Sequence, residues 1–198
     1  MALTRAQKRV CEEAKEIADA VSLDIWQVES WPSAARISML KVAIHRMVIA
    51  EVVIQYTLLD EILADLICRY YFNEKHTHFG KLWRTKKLKT FVHYILDEMY
   101  LLKKMDLVNQ IKPLPKEVMK TLRKVNAIRN SMAHSFFPEN RKEHRETKKV
   151  MYDGRELLSR NGLYAFKRDA YTAWAQLAAR VDGLSLKKLA LPEEGQFV

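Results

Sequence analysis

Apolar positions recur at three- and four-residue steps along most of the chain, a spacing that predicts helices almost throughout. Residues 4–20 form a first amphipathic segment. Trp31-Pro32-Ser33 breaks the pattern, and Ser33 is a candidate N-cap for the next helix. That helix is long and is expected to run to about Tyr71. Its apolar face reads Ile37, Leu40, Ile44, Met47, Val48, Val52, Leu59, Ile62, Leu66 and Tyr70. After a polar loop at 73–80, a third helix carries Leu88, Val92, Ile95, Met99 and Leu102 on one face. Lys112-Pro113-Leu114-Pro115 ends that region. A fourth helix runs from about Pro115, a good first-turn residue, to Phe136. Pro138 stops it, because the residue before a proline is pushed out of the helical region.

Residues 138–149 are charged and mixed in sign, which predicts a loop or a short exposed helix. Asp153-Gly154 and Asn161-Gly162 are turn dipeptides, so a small hairpin or irregular insert is expected near 149–163. A last helix is expected over 164–181, using Ala170, Trp174, Leu177, Ala178 and Val181. The fold class is therefore all-α, an up-and-down bundle of four to five helices. The expected organisation is an N-terminal helical extension (1–30), the bundle (31–190) and a loose tail (191–198).

Composition narrows this further. The length of 198 residues suits one domain, or one domain with an extension. Hydrophobic residues make up 48% and charged residues 29%, which excludes a disordered chain. Five Gly and five Pro are too few for a turn-dense all-β fold. Lys plus Arg number 34 against 24 Asp plus Glu, and the net charge of +10 favours a polyanionic partner. Cys11 and Cys68 give no disulfide framework, consistent with a reducing compartment. The N-terminus lacks the apolar core of a signal peptide. Glu51, Asp60, Glu61 and Asp65 interrupt the most apolar stretch, so no membrane span is expected and the location reads as cytoplasmic. No Gly-rich phosphate loop, HExxH or Cys/His cluster occurs, so neither a metal nor a cofactor is expected. His76 and His78 read as part of a solvated loop.

The fourth helix carries the most specific chemistry. With Val118 set to zero on a helical wheel, Val118, Leu122, Val125, Met132 and Phe136 cluster on one side, and Arg129 falls among them at about 20°. A guanidinium placed there needs a partner, because an unpaired buried charge is costly. Asn126, Asn130 and His134 form an adjacent polar stripe at four-residue steps. The long helix offers a complement, since Glu51 and Gln55 lie on its apolar side, and Glu51 is the leading partner for Arg129. The pattern supports two readings: a functional site at the end of the fourth helix, or a structural Arg129–Glu51 pair in the core. Arg69, followed by His76, is a decoy of similar form.

The segment Ile128-Arg129-Asn130-Ser131-Met132-Ala133-His134-Ser135 resembles the signature of HEPN domains, an Arg followed after four to six residues by His. Glu51-Val52-Val53-Ile54-Gln55, before an acidic and Leu-rich run, also resembles that family. The resemblance implies an all-α bundle that dimerises, with two motifs facing each other across a cleft. It implies a metal-independent endoribonuclease of a toxin–antitoxin or antiphage system, with Arg129 and His134 catalytic and Asn130 positioning them, and an antitoxin or regulatory protein as a possible partner. Other members of the family, including the mannitol operon repressor group, are non-catalytic modules. Toxins controlled by a nucleotidyltransferase antitoxin carry a Tyr two residues after the His. Phe136 stands at that position here. Separately, Lys81, Arg84, Lys86, Lys87 and Lys89, with Trp83 interleaved, form a run that reads either as a track for an RNA backbone or as a solvated helix face with Trp83 packed into the core.

Overall fold

The computed structural model describes Arg5 and residues 29–30, 32–72, 85–133, 142–144 and 149–182. The expected segment at 6–20, the loop at 73–80 and the tail lie outside the described residues. The long helix, α1, runs Arg36–Phe72. It starts at Arg36 rather than at Ser33, which sits in the turn before it, and the Ala35 carbonyl accepts from the Met39 amide at 2.9 Å. Two short pieces come next, α2 (Lys86–Phe91) and a single π-helical turn (Val92–Leu96), and then α3 (Leu101–Ile111). Beyond them lie α4 (Lys116–Ala133), a 3-10 turn (Lys142–His144), strands β1 (Met151–Tyr152) and β2 (Arg155–Glu156), and α5 (Arg160–Asp182). The fold is all-α apart from this one antiparallel hairpin among the described residues. No described helix is long and apolar enough to cross a membrane.

The chain divides into two compact units, Met1–Met47 and Val48–Val198. In the first, Ile37, Leu40, Ile44 and Met47 are exposed, although the apolar pattern assigns them to a core face. In the second, α1 buries Val48, Val52, Leu59, Leu63 and Ile67, in steps of four or seven. This stripe packs with Leu88 and Leu96, with Leu101, Met105 and Val108 of α3, with Val118, Leu122, Val125, Ile128 and Met132 of α4, and with Phe166 and Leu177 of α5. The expected face of α1 is therefore covered only in part: Val48, Val52 and Leu59 are buried and Ile62 and Leu66 partly so, whereas Ile37, Leu40, Ile44, Met47 and Tyr70 are exposed.

The expected third helix is two elements. Thr85 caps α2, its hydroxyl accepting from the Leu88 amide at 3.3 Å. The π turn then adds one residue to the helical repeat, so Leu96 turns inward while Ile95 stays exposed. Tyr100 is extended and restarts the chain as α3, so Leu101, rather than Leu102, is fully buried.

The hairpin forms where the turn chemistry predicts it. Asp153 (φ 50) and Gly154 (φ 77) both take left-handed conformations, and Met151 pairs with Glu156. Tyr152 anchors it, donating its hydroxyl to Asp169 of α5 at 3.1 Å and meeting the Phe166 ring edge-on at 5.4 Å. Asn161-Gly162, expected as a second turn, instead lies in the first turn of α5. The Ser159 hydroxyl accepts from the Gly162 amide at 3.2 Å and caps that turn. A Cβ at position 162 would collide with the Glu156 carbonyl of β2, so only glycine fits. Gly162→Ala is expected to cost about 1–3 kcal/mol by forcing hairpin and helix apart, read by urea unfolding. Gly154→Ala meets no neighbour and strains only its backbone.

Cys68 is buried on α1. Burial, reinforced by the Asp65 carboxylate and opposed by the Lys104 ammonium, pushes its thiol from 9.0 up to about 11. The unfolded chain therefore loses this proton first as pH rises. The stability that the neutral thiol contributes is complete below pH 9 and is lost as pH climbs through about 11. Iodoacetamide at neutral pH is expected to leave Cys68 unmodified in the folded protein and to label it readily in denaturant, as peptide mapping would read.

Candidate functional site

The candidate site lies on α4. Between Glu117 and Glu139 the sequence has no acid, so past its first turn the helix carries Lys120, Arg123, Lys124 and Arg129 without an acid of its own. Its core stripe is Val118, Leu122, Val125, Ile128 and Met132. Arg129 is next to that stripe and half-buried, rather than at its centre. Ile128, one residue earlier, takes the buried position.

Arg129 is held in two ways. Its guanidinium lies over the Tyr56 ring of α1, 5.0 Å from the centroid, and its Nη1 donates to the Asn130 side-chain oxygen at 3.2 Å. Asn130 is exposed and Asn126 half-buried, so these two members of the expected polar stripe border the apolar one. His134, together with Phe136, Lys81 and Arg84, lies outside the described residues. The structure therefore brings Arg129 and Asn130 together.

The expected Arg129–Glu51 pair is replaced by a different one. Glu51 is half-buried, accepts from Gln55 at 2.8 Å and faces Lys167 of α5 at 3.6 Å. The reason is register. Glu51 and Tyr56 are five residues apart, so they point about 140° away from each other on α1, one toward α5 and the other toward Arg129. The wheels placed both charges near core faces without revealing which helix each would meet. The decoy Arg69 is structural: it pairs with Asp65 at 2.8 Å and donates to the Val181 carbonyl at 3.2 Å.

Two contributors escape the sequence pattern. Tyr56 continues the buried stripe of α1, four residues after Val52 and three before Leu59, and packs partly buried against the core, but the expected apolar face of α1 did not include it. His144, in the 3-10 turn, shares a hydrogen bond with the Ser131 hydroxyl at 3.2 Å, which sets a titratable ring against the residue next to Asn130. The sequence hides it inside a charged run with no period. Lys86, Lys87 and Lys89 lie on α2 around the buried Leu88, with Lys86, Lys87 and Lys89 all exposed.

An open cleft of about 330 Å³ separates α4 from α5 beside the hairpin tip. Its cations are already matched, Lys124 to Asp153 at 2.7 Å, Arg168 to Asp169 at 3.0 Å and Lys120 to Glu117 at 3.9 Å. The Lys124 hydrogen bond holds the Asp153 carboxyl below its usual range. Such a cleft presents no net charge to a polyanion.

No family model matches the chain, and no curated protein or solved structure matches it either. What the fold and site define is a small, basic, all-α bundle whose fourth helix presents an arginine and an asparagine together, the arginine seated on a tyrosine ring.

Proposed function

We propose that the protein is a metal-independent endoribonuclease of HEPN type that works as a homodimer on RNA. A toxin–antitoxin or phage-defence setting, with an antitoxin or regulator as partner, would suit that activity. The observation that carries the reading is the Arg129–Asn130 couple, half-exposed near the end of α4 and followed in sequence by His134. The chemistry needs a base and a cationic clamp. An imidazole, with a reference pKa of about 6.5, takes the proton of a ribose 2′-hydroxyl. The 2′-oxygen attacks phosphorus, and the bond to the 5′-oxygen breaks as that oxygen gains a proton. The products are a cyclic phosphate and a 5′-hydroxyl. A guanidinium stabilises the charge on the phosphate oxygens through paired N–H donors. Exposed Val53, Ile54 and Leu58 on α1 support self-association.

A specific observation also favours a second reading. The Arg129–Tyr56 contact ties α4 to α1, a role that a non-catalytic HEPN-like regulatory module would retain. Incubation of a mixed RNA in EDTA separates the two. The enzyme is expected to release fragments with cyclic phosphate ends, and His134→Ala to release none. A wild-type protein that folds and leaves the RNA intact is the module.

A further inference from the structure

Three tyrosines of the second unit, Tyr70, Tyr71 and Tyr94, are 60%, 52% and 70% exposed, within one stretch of the chain and beside exposed lysines. They stand outside the core, whose buried members from the same helical segments are Ile67, Leu88 and Leu96. The rings adjoin. Tyr70 and Tyr71 meet edge-on with centroids 5.2 Å apart, Tyr71 lies 5.6 Å from Phe91, and Phe91 lies 5.3 Å from Phe72. Tyr94 follows three residues after Phe91 in the π-helical segment, 70% exposed, with its ring edge-on to His93 at 4.7 Å. Such single π turns are rare and recur at functional sites. Lysines edge the rings: Lys87 Nζ is 5.5 Å from the Phe72 centroid, and Lys86 and Lys89 are exposed on the same short helix. No acid occurs between Glu74 and Asp97, and Asp97 faces His93 at 3.9 Å.

We infer that this surface is a stacking platform for single-stranded nucleic acid, with bases lying on Tyr71 and Tyr94 and Lys86, Lys87 and Lys89 contacting the phosphates. Exposed aromatic faces next to cations are the chemistry that unpaired bases recognise, and every base offers a face to stack. A duplex hides its base faces and could use only the lysines. A membrane surface would call for aliphatic side chains to insert, and among the described residues near these rings Ile95 is the one exposed aliphatic. The choice of RNA over DNA rests on the proposed ribonuclease function. The platform itself does not depend on cleavage.

The test is fluorescence anisotropy with the full chain. The probes are a labelled oligouridine of about 12 nucleotides with 2′-O-methyl sugars, which cannot be cleaved, the matching DNA strand, and a duplex of equal length. Single strands should bind at least about tenfold more tightly than the duplex. Tyr71→Ala and Tyr94→Ala should each weaken single-strand binding by about tenfold, with Tyr94→Phe restoring most of it. Replacing Lys86, Lys87 and Lys89 by Gln should flatten the salt dependence, lowering its slope by about 0.7 for each phosphate no longer neutralised. The proposal is overturned if folded Tyr94→Ala and Tyr71→Ala proteins bind like wild type, if the duplex competes equally, or if the protein sediments with phosphatidylserine vesicles and ignores the oligonucleotides. Binding with this pattern, alongside intact RNA in the EDTA assay, would uphold the platform and remove the nuclease.

Discussion

In the proposed endoribonuclease, Arg129→Ala is expected to lower EDTA-resistant RNA cleavage by about a thousandfold, the scale on which a positioned cation at a reacting phosphate contributes. The geometry makes this more than a charge deletion. Arg129 is seated on Tyr56 and joined to Asn130, so its side chain is ordered before substrate arrives. Arg129→Lys keeps the charge but loses the planar fork and its fit to a phosphate, so it should restore only a small part of the rate. Tyr56→Leu removes the ring beneath the guanidinium, a contact of about 0.5–1 kcal/mol, and should slow cleavage by less than about tenfold. Each variant would be checked for unchanged helical circular dichroism and then followed in single-turnover assays. Full activity of Arg129→Ala would strike Arg129 from the mechanism. A Tyr56→Leu loss as large as that of Arg129→Ala would make the contact a brace of the fold.

How far the sequence could disclose this site depends on which interactions are local. The hairpin was legible because Asp153-Gly154 specifies its own turn, and α4 was legible because its apolar period is uninterrupted. The break of the third helix was not, since a π turn adds one residue without any glycine or proline to mark it, and every position after it shifts. α1 misled for another reason. Its apolar period runs from Ile37 to Tyr70, and periodicity cannot say where along a helix the neighbours are: Val52 and Leu59 are buried, whereas Ile37, Ile44 and Tyr70 stay exposed. The partner of Glu51 was beyond reach on similar grounds. A wheel gives a direction on one helix, and only the assembled bundle decides that Lys167 stands there. Asn130 beside Arg129 was readable because the two are consecutive, whereas His144 at Ser131 depends on how the chain returns after α4.

The largest effect on stability is expected at Lys104, a residue that nothing in the sequence separates from its neighbour Lys103. Lys103 is exposed, while the Lys104 side chain is 6% exposed in the middle of α3. Its ammonium donates to Asp60 of α1 at 2.6 Å, an ion pair that fastens the two helices 44 positions apart in sequence. The other Asp60 oxygen is buried without a hydrogen-bond partner among the described residues, so the carboxylate leans on this lysine. Lys104→Ala would leave the Asp60 carboxylate, 24% exposed, without its partner, and also open a void beside the core residues Leu101 and Met105 where the long aliphatic stem lay. Breaking a fully buried pair by removing one partner costs about 3–5 kcal/mol, and with Asp60 24% exposed the loss is expected at the lower end, about 3 kcal/mol, still a large fraction of the stability of a domain this size. Urea unfolding of Lys104→Ala should show that loss, and added salt should reduce it only in part, because the Lys104 end of the pair is buried and the Asp60 end partly exposed. The double variant Lys104→Met with Asp60→Leu removes both charges and fills the space, and it should recover most of the stability, since apolar replacements of buried pairs are often neutral or better. A Lys104→Ala protein as stable as wild type, or a double variant no better than the single, would mean that Asp60 reaches solvent and that the pair does not hold α3 to α1.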